Sequence, residues 1–196
     1  MIPSFWFALS AHADVVQPSM DRGTNTVEVA AILPHGIDAV WDILAGDYGK
    51  ISESHPKIVK SAYLKGSLQG DLGVERTCWF DDDGDKELHE QIVRWEPAAY
   101  TFDNRILAAR GFPLDPDNTL ATYHLEAIDA THTRAVIHME YRTAPAMMGG
   151  MMKGAFRGLL SDYLVAVHGH LATGAPVNRE NFDEVRQQYG DEVVFE

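Results

Sequence analysis

Cysteine is nearly absent from this chain: Cys78 stands alone among 196 residues. A lone thiol excludes an intrachain disulfide framework and any zinc site built on clustered cysteines. Positive charge is also scarce, with 16 Lys and Arg against 29 Asp and Glu and a formal net charge of −13. That balance opposes binding to nucleic acid or to an anionic membrane, whose phosphates call for a basic surface. No apolar run approaches the roughly 18 residues that a membrane span needs. Low-complexity segments and internal repeats are missing as well. What is present is a composition 45% apolar, which suits one domain with a sizeable core.

Residues 1–23 read as an N-terminal extension ahead of the first regular pattern. Phe5-Trp6-Phe7-Ala8-Leu9 followed by Ala11-His12-Ala13 has the form of a short apolar region ending in an A-x-A cleavage site, yet no Lys or Arg precedes it. The other reading is a natural start at Met20. A signal remnant at 1–13 implies export; a start at Met20 implies a cytoplasmic protein.

From Thr26 the pattern is regular. Thr26 to Leu33 is rich in Val, Ile and Ala and predicts a strand that stops at Pro34. Ile37, Val40, Trp41 and Leu44 then fall at helical spacing, with Gly46 just beyond. A loop or short second helix over 47–56 ends at Pro56. Six strands follow over 58–65, 73–80, 86–95, 99–109, 119–128 and 133–143, parted by turn residues such as Asp81 to Asp85 and Pro113 to Asn118. Short connections between successive strands predict an antiparallel meander. After Pro145 the period changes. Met148, Met152, Phe156, Leu159, Tyr163 and Val167 recur at three- and four-residue intervals, until Gly174 and Pro176 end the helix. Gly150, Gly154 and Gly158 recur within it, a spacing that suits close contact with the sheet. The polar residues 175–196 read as a C-terminal tail with room for one short helix from Asn181 to Gln188.

One large helix must cover the apolar face of seven strands, so the sheet has to curl around it and enclose a cavity. The expected class is therefore α+β: a seven-stranded curved antiparallel sheet around a long C-terminal helix, within one domain over 24–174.

Strand alternation sorts the candidate pocket residues. Ala135, Ile137, Met139 and Tyr141 share the inner face of the last strand, which leaves His138 and Glu140 to solvent. Ala121, Tyr123 and Leu125 face inward from the strand before, with His124 outside. Tyr100, Phe102, Asn104 and Ile106 share a face, as do Leu88, Glu90, Ile92 and Arg94, and Val74, Arg76, Cys78 and Phe80. In the strand over 58–65 both faces are mixed, with Ile58, Lys60, Ala62 and Leu64 opposite Val59, Ser61 and Tyr63. Alternation alone does not settle which of them points inward.

The chain resembles the START-related superfamily, which includes birch-pollen-allergen-like proteins, abscisic acid receptors and bacterial polyketide cyclases. The resemblance covers residues 26–172 and rests on Val40-Trp41-x-Ile43-Leu44 after Pro34, on Gly73-Val74-Glu75-Arg76, and on Glu90-x-Ile92-x-x-Trp95-x-Pro97. Tyr123 and the terminal helix extend it. It implies a helix-grip fold with a ligand cavity, and within it the polyketide cyclase/dehydrase-like branch. In the receptor branch a Lys and a Glu at the positions matching Lys60 and Glu90 line the cavity, as does an aromatic residue matching Tyr123. The receptors' gating loops are not recognisable here. His55 stands just before Pro56, where the family often has a Trp, at the cavity mouth beside Tyr48.

These residues give two expectations. The first is a cofactor-independent, metal-free cyclase, dehydratase or lyase acting on a small aromatic or polyketide-like molecule. Lys60 and Glu90 exchange protons, His55 serves as general acid or base, and Tyr123 and Asn104 orient oxygens. Tyr48, Arg76, Cys78, Phe80, Phe102, Tyr141, Met148, Met152 and Phe156 complete the ligand-binding set. Cys78 reads as a small core residue rather than a nucleophile, because no His–Asp arrangement can be assigned to it. The second expectation is a carrier or sensor that binds a hydrophobic ligand unchanged. Either works as monomer or homodimer.

Overall fold

The computed structural model describes residues 24–196, so the expectations for the N-terminal extension lie outside the described residues. Among those described, β1 (Asn25–Leu33) precedes a short helix, α1 (Ile37–Trp41). That helix loosens into a π turn over Asp42–Gly46 and a 3₁₀ segment over Tyr48–Glu53. The meander follows as β2 (Lys60–Tyr63), β3 (Glu75–Trp79), β4 (Glu87–Glu96), β5 (Thr101–Arg110), β6 (Leu120–Ala127) and β7 (Thr133–Tyr141). The long helix α2 (Gly149–Thr173) then crosses the sheet. It stops where Gly174 takes a left-handed backbone at φ 69°, a conformation glycine adopts without strain.

With β8 (Val194–Phe195) at the chain's end, all strand pairs named are antiparallel, in the order β2-β3-β4-β5-β6-β7-β1-β8. The eighth strand is an addition to the seven expected, and it pairs with β1. The residues after 174 are also not a detached tail. Val177, Phe182 and Val193 are buried, and α3 (Phe182–Tyr189) lies on α2, with Val185 against Gly169. Helix α3 and Val177 cover the outer side of α2 there, so Tyr163 to Gly169 are buried on every side and not along one stripe.

The curl of the sheet has a local cause. Between β4 and β5 the register slips twice, leaving Leu107 and Val93 without partners. Each extra residue is a β-bulge, which bends the strand and raises its twist. The second bulge also exchanges the faces of β4. Ile92 and Trp95 point inward, opposite Asn104 and Phe102, while Arg94 sits outside and bonds Asp103. Strict alternation had placed Arg94 with Ile92. In β7 alternation holds throughout, with Thr133, Ala135, Ile137, Met139 and Tyr141 all buried.

The core lies between the concave sheet and α2. Trp41, Trp95, Tyr100 and Phe102 close one side as an aromatic cluster, Trp41 standing 5.0 Å from Trp95 and edge-on to Phe102. The first turns of α2 are the exception. Met147 and Met151 are 85% and 75% exposed, and a methyl group at Gly150, Gly154 or Gly158 would meet nothing within 4 Å. These glycines therefore face open space and are not a close-packing seam against the sheet. Among the described residues no helix is long and apolar enough to cross a membrane.

Candidate functional site

The concave face of the sheet and α2 enclose a mostly apolar cavity of about 100 Å³. Ile58, Phe80, Leu88, Ile106, Phe112 and Leu114 form much of its wall, and Phe156, Leu160 and Tyr163 come from α2. Pockets that hold drug-sized molecules usually measure about 300–1,000 Å³. The cavity as it stands suits a small molecule.

A buried polar network is set into this wall. Arg76 on β3 and Glu90 on β4 are direct cross-strand partners, and Arg76 Nε donates to Glu90 Oε2 at 2.7 Å. Asn104 on β5 donates through Nδ2 to Glu90 Oε1 at 2.8 Å, and its Oδ1 accepts from the Tyr48 hydroxyl at 2.5 Å. Arg76 also donates to the Tyr48 carbonyl at 2.7 Å, and its guanidinium lies 3.9 Å from the centre of the Tyr48 ring. The Cys78 thiol approaches Glu90 Oε2 at 3.4 Å. Burial pushes the Glu90 carboxyl up. The Arg76 charge and the hydrogen bonds from Arg76, Asn104 and Cys78 outweigh that push and hold it below the ordinary carboxylate value. Burial raises the Cys78 thiol well above its usual value, so it stays protonated and is not a nucleophile.

His55 is buried in the wall, with its ring centre 4.9 Å from that of Tyr163. Its Nδ1 accepts from the Lys57 backbone N–H at 3.0 Å. Burial, reinforced by the positive charges of Arg76 and Lys57, lowers its pKa to about 3. The imidazole is therefore neutral at ordinary pH. Tyr123 stacks on Phe102 with ring centres 4.4 Å apart, and burial raises its hydroxyl pKa.

Of the residues singled out in the sequence, His55, Arg76, Phe80, Glu90, Asn104, Tyr123 and Phe156 line the cavity together. Tyr48, Cys78, Phe102 and Tyr141 are buried behind that wall, where Tyr48 supports Asn104 and Tyr141 donates to the Gly149 carbonyl. Met148 and Met152 are only partly covered, at the exposed start of α2, and line no part of the cavity.

Lys60 does not meet Glu90. It is exposed on the outer face of β2, with its ammonium 5.1 Å from the Trp79 ring. The reason is register. Ser61 and Tyr63 lie opposite the inward Cys78 and Arg76, so Lys60 shares the outer face with its partner Trp79. The inward pair does not reach the cavity either. Ser61 Oγ donates to the Gly49 carbonyl at 2.9 Å and the Tyr63 hydroxyl to the Gly46 carbonyl at 3.0 Å. The Tyr63 ring lies 2.4 Å from where a Cβ on Gly49 would stand, so only glycine permits this approach. Arg76 takes the place that Lys60 was expected to fill.

Sequence reasoning missed Phe112, Leu114 and Thr119, which line the cavity from the connection between β5 and β6. The available signal was two large apolar residues flanking Pro113 in a stretch taken for a solvated turn.

Comparison with known proteins agrees with this architecture. Residues 24–168 match the family described as "Polyketide cyclase / dehydrase and lipid transport". The chain belongs to that family. Among solved structures, Ara h 8.0201 is 19% identical with a TM-score of 0.63, over 77% of this chain and 99% of that one. XoxI from Bacillus cereus is 17% identical with a TM-score of 0.62, over 76% of this chain and 96% of its own. The Zhui aromatase/cyclase from Streptomyces sp. R1128 is 15% identical with a TM-score of 0.55, covering 84% and 95%. At these identities the likeness is one of fold, a helix-grip sheet around a terminal helix. No curated protein sequence matches the chain.

Proposed function

We propose that the protein is a cofactor-independent enzyme of cyclase, dehydratase or lyase type that acts on a small aromatic or polyketide-like molecule in this cavity. The observation that supports the reading is the Arg76–Glu90 pair, buried in the wall of an otherwise apolar space. Replacing such a pair by apolar residues is often neutral or stabilising, so it has little value as a staple. Polar groups that converge inside an apolar pocket are the usual mark of a site.

The chemistry follows from charge and position. Glu90 is held ionised and is, among the described residues, the only carboxylate in the cavity wall. It takes the acidic proton beside a ketone, and the Arg76 cation stabilises the negative charge that moves to oxygen. In a dehydration the proton held by Glu90 then leaves with the β-hydroxyl group as water, which restores the carboxylate. Apolar walls keep bulk water away from the intermediate.

The test uses a phenyl-substituted β-hydroxy ketone, whose dehydration gives a conjugated enone followed by ultraviolet absorbance. Turnover by the full chain, cut about 100-fold or more in Glu90→Gln, supports the enzyme reading. Stoichiometric binding of the hydroxy ketone without any enone overturns it. A second reading, a carrier that returns its ligand unchanged, is favoured by one observation: both Glu90 oxygens are already engaged within the protein.

A further inference from the structure

The polar groups of the cavity divide unevenly into donors and acceptors. The acceptors named above are occupied: the Glu90 oxygens by Arg76, Cys78 and Asn104, and Asn104 Oδ1 by Tyr48. Thr119 donates its hydroxyl proton to the Asp115 carbonyl at 2.8 Å, and the Tyr123 hydroxyl oxygen accepts from Arg76. His55 and Tyr163 are different. Because His55 Nδ1 receives the Lys57 N–H, the neutral ring carries its proton on Nε2. Neither that N–H nor the Tyr163 hydroxyl has an acceptor among the described residues, yet both residues line the cavity with rings 4.9 Å apart.

Two neighbouring donors without a partner in an apolar cavity call for an acceptor brought in from outside. A hydrocarbon leaves both unmatched, and a ligand that only donates can reach the Tyr163 oxygen but leaves the His55 N–H without an acceptor. We propose that the cavity selects a molecule bearing a carbonyl-type oxygen, received jointly by His55 Nε2–H and the Tyr163 hydroxyl, with His55 acting as a neutral donor and not as a base. The inference rests on the cavity being the ligand site and names what that site recognises. A neutral imidazole suits this role, since it polarises a carbonyl without giving up its proton in the ground state. Burial among Phe80 and Tyr163 and the nearby charges of Arg76 and Lys57 keep the ring in that form.

The test pairs two probes of one shape, acetophenone and α-methylstyrene, which differ in carrying C=O or C=CH₂. Binding to the full chain is followed by NMR titration, and the acetophenone carbonyl stretch by isotope-edited infrared spectroscopy. Acetophenone should bind about five- to tenfold more tightly than the hydrocarbon. Its stretch should move to lower frequency on binding. Nitrogen NMR should show His55 protonated on Nε2 and bare on Nδ1. His55→Phe and Tyr163→Phe should each erase most of the preference, read as the ratio of acetophenone to α-methylstyrene affinity within each variant. If His55→Phe does not fold, Tyr163→Phe and the wild-type spectra carry the test alone. Equal binding of both probes, with shifts at the cavity residues and no change in the carbonyl stretch, overturns the inference and leaves the cavity as the ligand site. Binding of neither probe overturns both.

Discussion

Replacing Arg76 by Met tests how the buried network is held together. Met preserves most of the stem and removes the guanidinium, so Glu90 loses its 2.7 Å partner and the Tyr48 carbonyl loses its donor. Breaking a buried pair from one side costs about 3–5 kcal/mol, because the charge left behind has nothing to offset its desolvation. The pH dependence should change sign at this site. In the wild type, Glu90 is held below its ordinary pKa, so its share of stability is present at neutral pH and lost as acid protonates it. In Arg76→Met, burial is the largest influence left on Glu90 and raises its folded-state pKa. That variant is then least handicapped below the unfolded-state pKa, and its deficit grows as pH rises toward the raised value. Urea unfolding of both proteins between pH 4 and 8 should give curves that converge on acidification. The double variant Arg76→Met/Glu90→Leu should regain most of the loss. A constant deficit across pH, or a double variant no more stable than Arg76→Met, would refute the reasoning.

Other perturbations address the remaining parts of the site. His55 has a folded-state pKa of about 3 against 6.5 unfolded, so the unfolded chain binds the proton first as pH falls. Its contribution is complete above pH 6.5 and declines by up to about 1.4 kcal/mol per pH unit below it. His55→Phe should therefore lose less stability than the wild type between pH 6.5 and 4.5 in denaturant titrations, and parallel curves would contradict this. Gly154→Ala and Gly158→Ala place a methyl group in open space on α2, so each should raise stability by about 0.5–1 kcal/mol. Thermal unfolding reads that gain, and a loss would mean that those turns pack against something. Lys60→Met, on the outer face, should stay within about 0.5 kcal/mol of the wild type and keep its turnover.

The order of elements was legible because each rests on a local pattern. Alternation in β7 and the three- and four-residue spacing in α2 are properties of neighbouring residues, and Gly174 marks the helix end by its own backbone preference. What escaped depends on partners. Lys60 and Ser61 look equally suited to face inward until the register with Cys78 decides between them. Arg94 leaves the inner face because Val93 is an extra residue, and a bulge leaves no mark in alternation. β8 is only two residues long and gains its place from the edge of β1. Arg76 and Glu90 were each readable as inward, but their pairing needs the β3–β4 register. His55 was readable as a pocket residue, but it lies buried in the wall and not at the mouth where the sequence put it. Its neutral form was not readable, because that comes from the Lys57 N–H and from burial against Tyr163.

The most direct test of the account is whether chemistry takes place inside this cavity. Ala121 lines it from β6, opposite Asn104 on β5, so Ala121→Phe should fill the space without removing any group of the polar network. With folding checked by thermal unfolding, enone formation from the phenyl-substituted β-hydroxy ketone should be measured for the wild type and this variant side by side. The account expects steady turnover by the wild type and little or none by Ala121→Phe. Equal turnover by the two proteins would contradict it, and would place the reaction outside the cavity between the sheet and α2.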